Sequence, residues 1–159
     1  NLESLSYDEI FEKAKSEVDE IRHFPAIQPI NKNDGKLSSR YGYRRDPFTR
    51  KFKFHDGDDF SAKTGTPVYA TADGRVRKSK YYSTFGNYIE IDHGNWYKTI
   101  FAHLSKRKVK VGEKVIRGQK IGEVGNTGRS TAPHLHYEIQ YKNTSKDPKD
   151  FYFDISTIK

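Results

Sequence analysis

Six histidines stand in the chain: His23, His55, His93, His103, His134 and His136. The segment His134-Leu135-His136-Tyr137-Glu138-Ile139-Gln140-Tyr141 alternates strictly between polar and apolar-faced positions. As a strand it turns Leu135, Tyr137, Ile139 and Tyr141 toward a core, and His134, His136 and Glu138 toward the opposite face. Two imidazoles on one strand face, two residues apart, are placed to converge on a metal ion and a substrate. A polar surface that happens to carry two histidines fits the same pattern. The second cluster is Phe54-His55-Asp56-Gly57-Asp58-Asp59-Phe60, with an imidazole and a carboxylate four residues apart around a glycine. Such a pair can wrap one ion. Imidazole plus carboxylate suits Zn²⁺, for which three protein ligands and an open fourth position make a catalytic site. Three neighbouring aspartates also fit an oxygen-rich calcium loop, although the spacing departs from the EF-hand and no bidentate Glu follows. A solvated acidic turn is the third reading.

The elements that must hold these residues are mostly short strands. Residues 7–22 are the exception: Tyr7, Ile10, Phe11, Ala14, Val18 and Ile21 fall at three- and four-residue steps and predict a helix. Ser6 with Glu9 has capping-box spacing, Leu5 with Ile10 has the spacing of a hydrophobic staple, and Pro25 stops the helix. Residues 25–39, with two prolines and Asn33-Asp34-Gly35, read as a linker. Beyond Ser39 the helical period disappears. Strands are expected at 68–72 and 75–80 around an Asp73-Gly74 turn, and at 87–93 and 96–103 around Gly94-Asn95. The second hairpin would pair Ile89 with Ile100 and Tyr88 with Phe101. Further strands are expected at 120–124 and 134–141. The fold class is therefore mainly β, two packed antiparallel sheets preceded by one N-terminal helix. The corresponding domain division is 1–38 for helix and linker and 39–159 for the β body.

Composition narrows the chemistry further. The 159 residues contain no Cys, which removes disulfides, thiol catalysis and cysteine-ligated zinc. Aromatic residues make up 14% of the chain, a density at odds with intrinsic disorder. No apolar run approaches the ~18 residues of a membrane span. The chain starts at Asn1 and has no Met, so it reads as a processed fragment with any signal or anchor upstream. Residues 1–33 carry seven acids against four bases, whereas residues 34–159 carry 25 bases against 14 acids. So basic a body suits an anionic partner: nucleic acid, a membrane surface or cell wall.

From about Ser39 to Tyr141 the sequence resembles the M23 zinc metallopeptidases, the lysostaphin or LytM type. The blocks that carry the resemblance begin with Tyr41-Gly42-Tyr43-Arg44, the 55–60 cluster, Gly65-Thr66-Pro67-Val68-Tyr69-Ala70 and Asp73-Gly74. They continue through Gly86-Asn87, Asp92-His93-Gly94, Phe101-Ala102-His103-Leu104-Ser105 and Val111-Gly112-Glu113 to Gly118-Gln119. Gly125-Asn126-Thr127-Gly128 then leads to Pro133-His134-Leu135-His136-Tyr137-Glu138. By position, the resemblance implies that His55, Asp59 and His136 bind Zn²⁺ and that His103 and His134 are catalytic without ligating it. Spacing alone does not decide which of His134 and His136 is the ligand. His93 is expected to be structural, and His23 to complement a helix end. Three positions depart from the family pattern: Ala132 for Gly, Phe101 for Tyr, and Asp46 where His or Asn is usual.

The implied activity is a zinc-dependent endopeptidase that cuts peptide cross-links of peptidoglycan in the bacterial cell envelope, periplasmic or extracellular. Tyr and Trp side chains would line its groove. The N-terminal segment and the 147–154 tail look like those of Gram-negative envelope members, which favours D-amino-acid-containing cross-links over pentaglycine. One alternative is an M23-like module that has lost its metal and binds peptidoglycan or activates another hydrolase; such modules lack ligand residues, and this chain keeps all three. Residues 111–122 resemble strands of biotinyl and lipoyl carriers, but no modifiable lysine motif accompanies them. Nucleic-acid binding is compatible with the charge, yet no recognised nucleic-acid motif is present.

Overall fold

The computed structural model describes residues 6–153. Helix α1 spans Tyr7–Arg22, and its N-terminus is a complete capping box: the Ser6 hydroxyl accepts the Glu9 amide while the Glu9 carboxylate accepts the Ser6 amide. The expected staple partner Leu5 lies outside the described residues. No residue of α1 is buried; its apolar stripe faces solvent. The helix nevertheless has a firm base. Asp73 accepts the Arg117 amide and pairs with Arg22, while the Arg117 guanidinium donates to the carbonyls of Ile21 and Phe24.

Residues 24–30 are docked, not loose. Phe24 stacks on Phe151 and meets the edge of Tyr97, Ile30 is buried, and the Pro29 carbonyl accepts the Tyr69 amide. The last five residues read as linker form strand β1 (Gly35–Ser39).

Eleven more strands follow: β2 (Gly42–Arg45), β3 (Phe52–His55), β4 (Asp58–Ala62), β5 (Pro67–Tyr69), β6 (Gly74–Tyr82) and β7 (Gly86–Gly94), then β8 (Tyr97–Arg107), β9 (Lys114–Val115), β10 (Lys120–Val124), β11 (His134–Tyr141) and β12 (Thr144–Lys146). A 3-10 turn at Pro148–Asp150 comes last. Pairing is antiparallel throughout. Ten strands join in one sheet whose main path runs β1-β4-β11-β8-β7-β6-β9, and β2 with β3 forms a separate hairpin. The body is thus mainly β with one helix, its two sheets very unequal in size. Among the described residues no helix is long and apolar enough to cross a membrane.

Period-two alternation divides the large sheet's faces. Phe101, Ile89, Leu135, Tyr137 and Ile139 enter the main core, and the opposite face carries Tyr88, Ile100 and Ala102 beside buried Glu90, His136 and Glu138. That polar face is where the chemistry sits.

Two turn expectations need correction. Asp73-Gly74 does not close a hairpin: β5 pairs with β10, and β6 pairs with β7 and β9. Glycine is needed at position 74 for close approach, because a Cβ there would lie 2.5 Å from the Asp92 carbonyl oxygen. The β7–β8 turn falls one residue later than expected, at Asn95-Trp96, both with positive φ (50° and 71°) as a type I′ turn demands. With a bulge in β7 between Asp92 and Gly94, Ile89 then pairs with Phe101, and Glu90 with Ile100. A one-residue slip exchanges faces, so Tyr88 lies with Ile100 and Ala102 instead of with Phe101.

Candidate active site

Strand register assembles the first three residues. β11 runs between β4 and β8, and Asp59 stands directly opposite His136. Side chains of directly opposed residues emerge on one face, here the polar one. The β2–β3 hairpin delivers His55 from the side. His136 Nδ1 lies 2.9 Å from Asp59 Oδ1 and 3.2 Å from His55 Nε2, and His55 Nε2 lies 3.3 Å from Asp59 Oδ1. Zinc bonds to nitrogen and oxygen of about 2.0–2.1 Å in a tetrahedron imply donor–donor edges of about 3.3 Å. Two imidazoles and a carboxylate at these separations fit that ion.

The rear nitrogens are occupied. His55 Nδ1–H donates to the Arg40 carbonyl at 3.0 Å, and His136 Nε2–H donates to Glu138 at 2.8 Å. Each ring therefore turns its other nitrogen inward, the outer-shell arrangement typical of metal-ligating histidines. Burial works against the Asp59 anion, but hydrogen bonds from His136 and His55 outweigh it and hold its pKa well below the usual carboxylate range. Burial likewise opposes charge on His136; the carboxylates of Asp59 and Glu138 overcome it and raise the pKa. Metal binding at such a nitrogen is coupled to proton release.

His103 reaches the same cleft through a backbone irregularity. β8 pairs with β11 up to Ala102 and with β10 from Leu104 onward. Between Phe101 and Leu104 it carries one residue more than the facing stretch of β7, and His103 has φ 61°. This bulge re-aims the side chain. Its Nδ1–H donates to the Thr127 carbonyl at 2.7 Å, leaving Nε2 as an acceptor. Burial pushes the His103 pKa down to about 4, so the ring is neutral near pH 7. His134 contacts the Ala132 carbonyl through Nδ1 at 2.8 Å, and its Nε2 lies 3.9 Å from Asp59. The rings of His103 and His134 are 4.7 Å apart. All five residues line one open cleft of about 620 Å³.

The remaining candidates go elsewhere. Asp58 accepts the Tyr41 amide and the Tyr152 hydroxyl, and Asp56 accepts the Ser145 hydroxyl, so the three aspartates diverge and make no calcium loop. His93 is buried between the Asp73 carbonyl and the Thr99 hydroxyl. His23 caps α1 and contacts the Asp19 carbonyl. The groove's aromatic lining is Phe48, Phe54 and Phe85 instead of Tyr or Trp; Trp96 sits exposed at the β7–β8 turn. Sequence reading placed Glu138 on the right face without seeing that it grips His136, although the two-residue offset is the visible signal. It named Arg44 within the 41–44 block without giving it a role, and it missed Arg129 in the cleft wall, for which no motif gave a signal.

Residues 53–148 match peptidase family M23. The chain belongs to that family. Among M23-type relatives it is 47% identical over 115 residues to peptidoglycan DD-endopeptidase ShyC of Vibrio cholerae, covering 72% of this chain and 27% of the relative. Peptidoglycan DD-endopeptidase ShyA of the same organism is 50% identical over 105 residues, 65% of this chain and 24% of the relative. The chain thus spans about a quarter of the length of these curated relatives. A crystal structure of a zinc containing peptidase from Vibrio cholerae superposes with TM-score 0.71 at 41% identity, covering 78% of this chain and 38% of that one. The catalytic domain of lysostaphin from Staphylococcus simulans gives TM-score 0.69 at 35% identity, covering 75% and 92%.

Two departures from the M23 pattern acquire a structural account. Phe101 is fully buried against Tyr137 on the core face, where a hydroxyl could not reach the cleft. The Asp46 carboxylate accepts the amides of Phe48 and Thr49 and so braces the turn that carries Phe48.

Proposed function

We propose that this chain is a zinc-dependent endopeptidase domain that hydrolyses peptide cross-links of bacterial peptidoglycan. The observation carrying this reading is the convergence of the His55, Asp59 and His136 donor atoms within 4.8 Å, beside two further imidazoles in one cleft. His55, Asp59 and His136 hold the metal. When bound, zinc supplies Lewis-acid polarisation of the scissile carbonyl and acidification of water. His103 and His134 do not ligate. With Nδ1 of each tied to a backbone carbonyl, Nε2 of each accepts a hydrogen bond from the attacking water. Whichever ring takes the water's proton becomes the donor that the leaving amine needs. Until it passes that proton on, the imidazolium's positive charge also offsets the negative charge developing on the carbonyl oxygen.

The names of the Vibrio relatives support a D-amino-acid-containing cross-link as substrate and the cell envelope as the place of action. The basic body suits an anionic wall polymer, with α1, which buries no side chain, as the separate N-terminal segment. Digestion of purified sacculi with and without chelator, followed by mass spectrometry, tests the reading. Cross-linked dimers should fall to monomers, stop doing so with chelator, and resume on adding Zn²⁺. Intact dimers under zinc would refute it.

A further inference from the structure

A left-handed φ at a non-glycine residue is costly and persists only where the surroundings over-determine it. At His103, with φ 61°, those surroundings can be named. The His103 amide donates to the Phe85 carbonyl at 2.7 Å. The next carbonyl along, that of Leu104, accepts two side-chain hydrogens: one from the Thr127 hydroxyl at 2.7 Å and one from the Asn87 carboxamide at 3.0 Å. The Thr127 hydroxyl in turn accepts the Asn87 amide at 3.1 Å. Thr127 therefore holds the bulge twice. Its carbonyl takes the His103 Nδ1–H, and its hydroxyl ties down the backbone one residue later.

The residue types at these positions follow from the bonds they make. Position 127 must donate once and accept once from the same side-chain atom, which a hydroxyl does. The Asn87 carboxamide has its orientation fixed from both ends: its oxygen accepts the Arg107 Nε–H at 3.1 Å, and its nitrogen faces the Leu104 carbonyl. Beside them, at position 86, φ is 65° and a Cβ would lie 2.6 Å from the Thr127 carbonyl oxygen, so glycine is required. Neither Asn87 nor Thr127 lines the cleft, so both reach the chemistry only through His103.

We infer that the Thr127 hydroxyl and the Asn87 carboxamide are positioning residues for the reaction, joining the β8 bulge and the Thr127 carbonyl into one unit that fixes the place and the tautomer of His103. The inference rests on the peptidase reading above and adds two residues to it. A carbonyl can only accept, so while it stays in place Nδ1 carries the ring proton and Nε2 keeps its lone pair for the water. If the carbonyl drifts, the ring is free to take the other tautomer, whose Nε2–H cannot act as a base.

The test compares zinc-loaded Thr127→Val, which keeps the branched shape and loses the hydroxyl, with zinc-loaded Thr127→Ser, which keeps the hydroxyl. Cross-linked muropeptide dimers are the substrate. Thr127→Val should retain zinc and KM and lower kcat by about 10- to 100-fold, the scale of a misplacement of about 1 Å. Thr127→Ser should recover most of that loss. Asn87→Asp, nearly isosteric but without the donor, should lower kcat in the same way and carries the test if Thr127→Val does not fold. In a His103→Ala background neither change should cost more than about twofold, because the ring they position is gone. Imidazole nitrogen NMR should show His103 protonated at Nδ1 alone in wild type and Thr127→Ser, and a mixture of tautomers in Thr127→Val and Asn87→Asp. Variants with a lower melting temperature but wild-type kcat and tautomer would overturn the role, leaving the peptidase reading intact. So would a loss of the same size with and without His103. Absence of hydrolysis by the zinc-loaded wild type would overturn the peptidase reading and the role together.

Discussion

The Nδ1–H of His103 points at the Thr127 carbonyl oxygen, 2.7 Å away, from a backbone held in the left-handed region at φ 61°. A bulge in β8 and a carbonyl on a loop 24 residues onward thus combine to fix one imidazole with its Nε2 facing the cleft. If His103 and His134 act on substrate water without ligating, His103→Ala and His134→Ala should each keep zinc and fold. Each should lower kcat by about 10²- to 10⁴-fold, the usual worth of a placed acid or base. Near wild-type turnover in His103→Ala, whatever its melting temperature, would mean that the residue is structural. Zinc lost from His134→Ala would reverse the assignment of the His134/His136 pair.

Metal content separates the ligands from their supports. One zinc per chain is expected in wild type, and none retained through dialysis by a folded Asp59→Ala protein. Glu138→Gln removes a carboxylate from behind His136 and should weaken zinc affinity by about 10- to 100-fold, in line with other outer-shell partners. Elemental analysis and competition with a chromophoric chelator measure both; unchanged zinc in Asp59→Ala would discard the ligand set.

The N-terminal segment should divide at its docking point. Because α1 buries no side chain, deleting residues 1–20 should change folding stability by less than about 1 kcal/mol. Starting instead at Asn33 strips away Ile30 and the Phe24 stack, at a cost of about 2–5 kcal/mol by analogy with large core truncations. Urea unfolding of the two shortened chains checks this. Equal stabilities would show that residues 21–32 contribute nothing to the body.

Acid should find His93. Burial, helped by the His23 charge, lowers its folded pKa to about 4 against the hydrogen bond to the Asp73 carbonyl and the charges of Asp92 and Asp73. Above pH ~6.5 the ring is neutral in both folded and unfolded chains and adds no pH dependence. As pH falls from there toward 4 only the unfolded chain takes up the proton, so stability drops by up to about 1.4 kcal/mol per pH unit from this residue. His93→Gln should show a shallower decline between pH 6.5 and 4 than wild type in denaturant titrations. Parallel curves would assign the acid sensitivity elsewhere.

What the sequence determines by itself is local or modular. The three- and four-residue spacing predicts α1 with the observed bounds, because a helix is defined by neighbours along the chain. The 134–141 alternation predicts β11 and the face that carries His134, His136 and Glu138, because strand side chains must alternate. Ordered blocks of family residues resemble M23 along the chain, because a motif is read from residue order alone. Tertiary structure decided what depends on distant partners. Asp73-Gly74 reads as a hairpin turn, but its glycine answers the Asp92 carbonyl, and its strands pair with β10, β7 and β9. The β7–β8 register moved by a residue because the turn at Asn95-Trp96 alone would move it by two and a bulge in β7, between Asp92 and Gly94, takes one back. The metal-site geometry is likewise a matter of register: Asp59 meets His136 because β4 pairs with β11 across 77 residues of sequence. Residue types name the chemistry, but hydrogen-bonded pairing between remote strands sets which atoms face one another.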